Sequence, residues 1–99
     1  MLDSGWYVLG NEVKCFEEEF AEYNQSKYCV GVASGLDALI LAFEALHLNP
    51  GDEVIAPANT YIASIMGFTR NGLVPKFVEP DQYYNLDPSK IEAAIGPKT

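Results

Sequence analysis

The sequence predicts an α/β protein with a mostly parallel sheet flanked by helices. Two observations lead there. Stretches with apolar residues at helical spacing alternate with short β-branched apolar runs, in the order helix, strand, helix, strand, helix, strand, helix. The strand-like runs are separated by helix-length connections, which parallel pairing requires and which favour right-handed crossovers. At 99 residues, with 48% apolar and 20% charged side chains, the chain has the composition of a globular protein and room for one domain at most.

The first helix is predicted from Asn11 to about Asn24. Val13, Phe16, Phe20 and Tyr23 make its apolar stripe, and Glu17, Glu18, Glu19 and Glu22 stand around it. Tyr28 to Ala33 is a short apolar, β-branched run and reads as a strand. A second helix is expected from Gly35 to about His47. Leu36, Leu39, Ile40, Phe43 and Leu46 form one face, and Ala38, Leu41, Ala42 and Ala45 make the remainder nearly apolar, so it should be covered on two sides.

Asn49-Pro50-Gly51-Asp52 has the composition of a tight turn. Glu53 to Ala56 follows as a strand that Pro57 stops. A third helix is expected from Thr60 to Asn71, capped by Asn59 or Thr60 and closed by Gly72 in a left-handed conformation. Leu73 to Val78 is the next strand. Pro75 inside it cannot donate to a ladder, which assigns it to a sheet edge or an irregularity. Asp87-Pro88 supplies an N-cap followed by proline at the first helical position, opening a helix that runs to Ile95 before Gly96-Pro97. Three parallel strands would leave two open edges and a half-covered face. The ends therefore read as cuts in a longer protein, and residues 1–99 as an incomplete domain.

Composition excludes several classes of function. The net charge is −8, and the six basic residues form no stripe, which excludes nucleic-acid binding through the phosphate backbone. No apolar run approaches the ~20 residues that span a bilayer. The first residues carry neither the basic nor the apolar region of a secretory signal, so a cytoplasmic location is expected. Cys15 and Cys29 stand singly and are expected as free, buried thiols. With His47 as the single histidine, no zinc site is expected.

Two segments could carry chemistry. In Val32-Ala33-Ser34-Gly35-Leu36-Asp37-Ala38, a strand-like run ends at a Ser-Gly turn and a helix begins. Backbone N–H groups without helical partners and the positive end of the dipole favour an anion there, and Gly35 would let a phosphate approach the backbone. A plainer reading is that Ser34 caps the helix and Asp37 complements its dipole. The glycine spacing matches neither a P-loop nor a dinucleotide fingerprint. In Pro57-Ala58-Asn59-Thr60-Tyr61-Ile62-Ala63-Ser64, again at a strand's carboxyl end, Tyr61 could lie on a flat ligand or simply pack in the core. Among other residues, Glu79 and Asp81 could face a ligand or a solvated loop, and His47 could complement a helix dipole. Tyr83 and Tyr84 could meet a partner or pack on the sheet.

Taken in order, GNEVKCFEEEFAEYNQ, YCVGVASGLDALILAFEAL, NPGDEVIAPANTYIAS and NGLVPKFVEPDQYYNLDPSKIEAAI resemble the DegT/DnrJ/EryC1/StrS family of pyridoxal-phosphate-dependent nucleotide-sugar aminotransferases, over almost the whole chain. The resemblance implies the aspartate-aminotransferase-like fold, fold type I, with this chain as the opening portion of the large cofactor domain. It also implies a homodimer, a nucleotide-linked keto sugar as substrate and an amino-acid donor, usually glutamate, with products feeding polysaccharide or antibiotic pathways. Neither a nucleic-acid nor a membrane partner is expected.

Carried onto this sequence, the resemblance makes Gly35, Leu36 and Asp37 the cradle of the cofactor phosphate, chiefly through backbone N–H groups. Tyr61 becomes the aromatic that stacks on the pyridine ring. Many relatives have Thr at position 36, whose hydroxyl also reaches the phosphate. Leu36 lacks it, and Ser64 stands where Thr is frequent. The family's Schiff-base lysine and the aspartate that pairs with the ring nitrogen are expected beyond Thr99, since none of Lys14, Lys27, Lys76, Lys90 and Lys98 falls at the matching place. The 99 residues alone are therefore expected to be inactive. The same scaffold with a histidine in place of that lysine would be a keto-sugar dehydratase, and a non-catalytic phosphate-binding module is the alternative outside enzymes.

Overall fold

A computed structural model describes residues 2–99. The chain divides into two units, one ending at Val32 and the other running from Ala33 to Thr99.

In the first unit, α1 (Asn11–Tyr23) forms where the first helix is predicted. Phe16 and Phe20, one turn apart, stack with ring centroids 5.4 Å apart. Cys15 and Cys29 are free thiols, but Cys15 is exposed and Cys29 half-buried, so the expected burial is not found. The helix ends in a Schellman motif. Gln25 takes a left-handed φ of 54°, its N–H donates to the Glu22 carbonyl at 3.0 Å, and the Ser26 N–H donates to the Ala21 carbonyl at 2.9 Å.

The strand predicted over Tyr28 to Ala33 does not form. The ladder among the described residues joins two other strands. The Gly31 N–H instead donates to the Glu17 carboxylate, and Tyr28 and Val30 are about three-quarters exposed, at 75% and 74%. A β-branched run fits a pleated, half-buried surface, but only a neighbouring strand makes it a strand.

In the second unit, Ser34 is the N-cap of α2 (Gly35–Ala45). Its Oγ accepts from the Asp37 N–H at 3.1 Å and donates to Asp37 Oδ2 at 2.9 Å, so cap and third helical residue hold each other. His47 closes the helix with a left-handed φ of 52° and an N–H bond to the Glu44 carbonyl at 3.1 Å. Asn49 to Asp52 is a tight turn with Pro50 at its second position, Gly51 at φ 89° in its third, and the Asp52 N–H on the Asn49 carbonyl at 3.0 Å.

β1 (Glu53–Pro57) and β2 (Val74–Val78) pair in parallel, from Glu53 opposite Val74 to Pro57 opposite Val78. The sheet therefore has two strands, where three were predicted. Pro75 sits opposite Val54; both strands are edges, so its missing N–H disrupts no inner ladder. Between the strands lies α3 (Ile62–Thr69), shorter than predicted. Its N-cap is Tyr61, not Asn59 or Thr60, and no side chain caps it. Gly72 closes that helix's exit at φ 77°, as its sequence position implied. The core joins the sheet to both helices: Ala56, Phe68 and Leu73 are buried, with Phe43, Val54 and Ile65 against them. Phe43 of α2 meets Phe68 of α3 edge to face at 5.5 Å.

Beyond β2, Asp81 organises the loop that leads to α4 (Pro88–Ala94). Its Oδ1 accepts from the N–H groups of Tyr83 and Asn85 at 2.8 and 2.9 Å. Tyr83 and Tyr84 are exposed rather than packed on the sheet. Asp87 caps α4, accepting from the Ser89 N–H at 3.0 Å and its hydroxyl at 2.6 Å. These two bonds, with Lys90 nearby, hold the Asp87 carboxyl below its ordinary pKa.

Two outcomes follow from this packing. Phe68→Ala removes a ring that is 2% exposed and is expected to destabilise the protein by about 3–5 kcal/mol in chemical denaturation. Because the folded-state pKa of Asp87 is depressed, its cap stabilises above the unfolded-chain value and that contribution fades as pH falls through the folded one. Corrected for intrinsic rates, hydrogen exchange at the Ser89 amide should rise on acidification, and Asp87→Asn should abolish that rise.

Candidate functional site

The first turns of α2 and α3 open onto one cavity of about 580 Å³, lined by Ser34, Gly35, Leu36, Leu39, Tyr61, Ala63 and Ser64. It is larger than the cavity of about 410 Å³ between β2 and α4, and it lies within the size range of small-molecule sites. α3 begins just past the carboxyl end of β1, where ligands of open α/β sheets bind.

Each wall follows from local sequence. Ser34, by capping α2, fixes the direction in which its first turn points. Among the described residues none accepts from the N–H groups of Gly35 and Leu36, while the Asp37 N–H is held by Ser34. Two donors at the positive end of an eleven-residue helix thus border the cavity. A Cβ built on Gly35 would meet no heavy atom within 4 Å, so the turn has open space beside it. Opposite, Tyr61 is 77% exposed with its backbone extended at the entrance to α3. Ser64, half-buried, stands in the first turn of the same helix.

Of the residues singled out in the sequence, Gly35, Leu36 and Tyr61 are brought together on this cavity. Asp37 does not line it; its carboxylate accepts from Ser34 Oγ. Leu39 and Ala63 also line the walls. Leu39 was legible only as a core position, one helical turn from Leu36. No charged side chain lines the cavity, so its polar character comes from backbone groups and the hydroxyls of Ser34, Ser64 and Tyr61.

The family model for the DegT/DnrJ/EryC1/StrS aminotransferase family matches residues 1–99. The chain belongs to that family. Among its relatives, dTDP-3-amino-3,6-dideoxy-alpha-D-galactopyranose transaminase of Aneurinibacillus thermoaerophilus is 56% identical over 100 residues, covering 100% of this chain and 28% of the relative. DesV of S. venezuelae, solved in complex with a ketimine intermediate, is 50% identical with a TM-score of 0.87, over 99% of this chain and 27% of that one. The E. coli GDP-4-keto-6-deoxy-D-mannose-3-dehydratase, solved with bound hydrated PLP, is 35% identical with a TM-score of 0.87, over 99% of this chain and 27% of that one. This member of the family thus has the α/β architecture of the fold type I enzymes and spans little more than a quarter of the length of the relatives it matches. Among the described residues, no helix is long and apolar enough to cross a membrane.

Proposed function

We propose that this chain is the N-terminal portion of the large domain of a nucleotide-sugar aminotransferase and carries part of its pyridoxal 5'-phosphate site. One observation carries the reading: the Gly35–Leu36 turn and Tyr61 border the same cavity. A phosphorylated aromatic ring needs anion donors at one end and a flat apolar surface beside the other, and this cavity has both. The donor set is neutral, which suits a phosphate held by backbone N–H groups at a helix start. The space beside Gly35 is what a Cβ would fill, so the residues fit the group.

When bound, the cofactor supplies the electron sink for moving an amino group between a donor and a keto sugar. The residues of this chain bind and orient it. The N–H groups of Gly35 and Leu36 hold the phosphate. Asp37 acts through Ser34, fixing the cap that aims those donors. Tyr61 covers one face of the ring and keeps water from it. The Leu36 side chain has no hydrogen bond to give, so the phosphate is held there by backbone alone. Proton transfer at the reacting carbon is left to a lysine outside residues 1–99, and the chain by itself has no turnover.

The 56% identical transaminase supports a dTDP-linked 3-keto-6-deoxyhexose as the substrate class, with an amino acid such as glutamate as donor. We infer a cytoplasmic homodimer for the whole protein. A dehydratase is the second reading, favoured by the 35% identical E. coli enzyme and weakened by the higher identity to transaminases. Amination against loss of water, followed by mass spectrometry of the sugar nucleotide, separates the two.

Three measurements test the proposal. Full-length protein titrated with pyridoxal phosphate should develop a saturable absorbance band that borohydride abolishes, while the isolated 99 residues should give neither the band nor turnover. A borohydride-sensitive band with turnover from the isolated chain would refute its placement as an inactive portion. Tyr61→Ala should weaken cofactor binding roughly threefold to tenfold, the worth of a stacked ring. Gly35→Val should leave Tm unchanged, because the space beside it is open, yet abolish the cofactor band; tight binding by this variant would sink the proposed cradle.

A further inference from the structure

Leu39 takes part in two arrangements at once. It lines the cavity from α2, and its Cβ lies 2.6 Å from where a Cβ on Gly67 of α3 would stand. Carbon atoms in ordinary contact sit ~3.5–4 Å apart, so α2 and α3 approach at this crossing as only a glycine allows. A Cβ, unlike the tip of a long side chain, cannot swing aside; relief requires the helices themselves to separate. One turn further along, Asn71 Nδ2 donates to the Ile40 carbonyl inside α2 at 2.9 Å and to the Gly67 carbonyl at 3.4 Å. Gly67 thus lets the helices close, and Asn71 latches them.

The two walls of the cavity ride on these helices. α2 begins with Gly35 and Leu36, one turn before Leu39, and α3 begins after Tyr61, with Gly67 near its far end. The separation at Leu39 and Gly67 therefore sets the span from the N–H donors to the tyrosine ring. We infer that Gly67 and Asn71 are positioning residues for the cofactor: they touch none of it, but they hold the turn and the ring at the spacing one phosphorylated aromatic molecule needs. The inference rests on the cofactor reading above and names what regulates the geometry of that site.

The test is a titration of full-length protein with pyridoxal phosphate, with Tm measured beside each affinity. Gly67→Ala should weaken binding on the order of tenfold or more, since displacement of about 1 Å at a site is worth up to ~100-fold. Leu39→Gly removes the opposing Cβ. The double variant Leu39→Gly/Gly67→Ala should bind as tightly as Leu39→Gly alone, although it is less stable than Gly67→Ala. Recovery of affinity without recovery of stability is what a merely structural role would not produce. Asn71→Ala adds no atoms and serves should Gly67→Ala fail to fold; it should weaken binding at least about threefold. If the wild type binds pyridoxal phosphate and both Gly67→Ala and Asn71→Ala bind it equally well, the positioning role is overturned while the cofactor reading stands. If the wild type does not bind it, the cofactor reading itself fails.

Discussion

The close approach of α2 to α3 at Leu39 and Gly67 is the constraint on which the rest of the second unit depends. At 2.6 Å from Leu39 Cβ, position 67 has no room for a side chain. That closeness brings Phe43 of one helix onto Phe68 of the other, and Phe68 is the most deeply buried member of the core under the sheet. The same two helices present their first turns to one cavity. Core and site are thus set by a single crossing, and both would feel a shift in it, because close-packed interiors transmit displacement rather than absorb it.

The site is built from backbone more than from reactive side chains. The N–H groups that border it are left over by helix geometry, and such groups lose no side-chain entropy when a ligand arrives. Ser34 has a double task as cap and wall, so aiming the donors and closing the helix are one requirement. The Asp37 carboxylate secures that cap. Although the protein is negatively charged, no carboxylate lines the cavity, and the helix end supplies a local positive potential there.

Much of this was legible in the chain. The Asn49–Asp52 turn, the cap and proline that open α4 and the left-handed Gly72 are dictated by the chemistry of a few adjacent residues. The pairing of Gly35 with Tyr61 was legible through the order of motifs. The run Tyr28 to Ala33 was misread because its composition is that of a strand while no described strand lies beside it. The entrance to α3 was misplaced because Asn59 and Thr60 have capping side chains that make no cap; the backbone turns into the helix only after Tyr61. Gly67 carried no signal, since a glycine inside a helical pattern says nothing about what crosses it.

By itself, then, the sequence determined whatever is local: which segments coil, where turns reverse the chain, and which family its ordered motifs belong to. Those depend on neighbours along the chain, whose contacts spacing and side-chain chemistry specify. Only the tertiary structure decided which strand-like runs find partners, how near two helices come, and that a glycine turn and a tyrosine twenty-six positions apart share one cavity. Those depend on distances through space, which no pattern along the chain encodes.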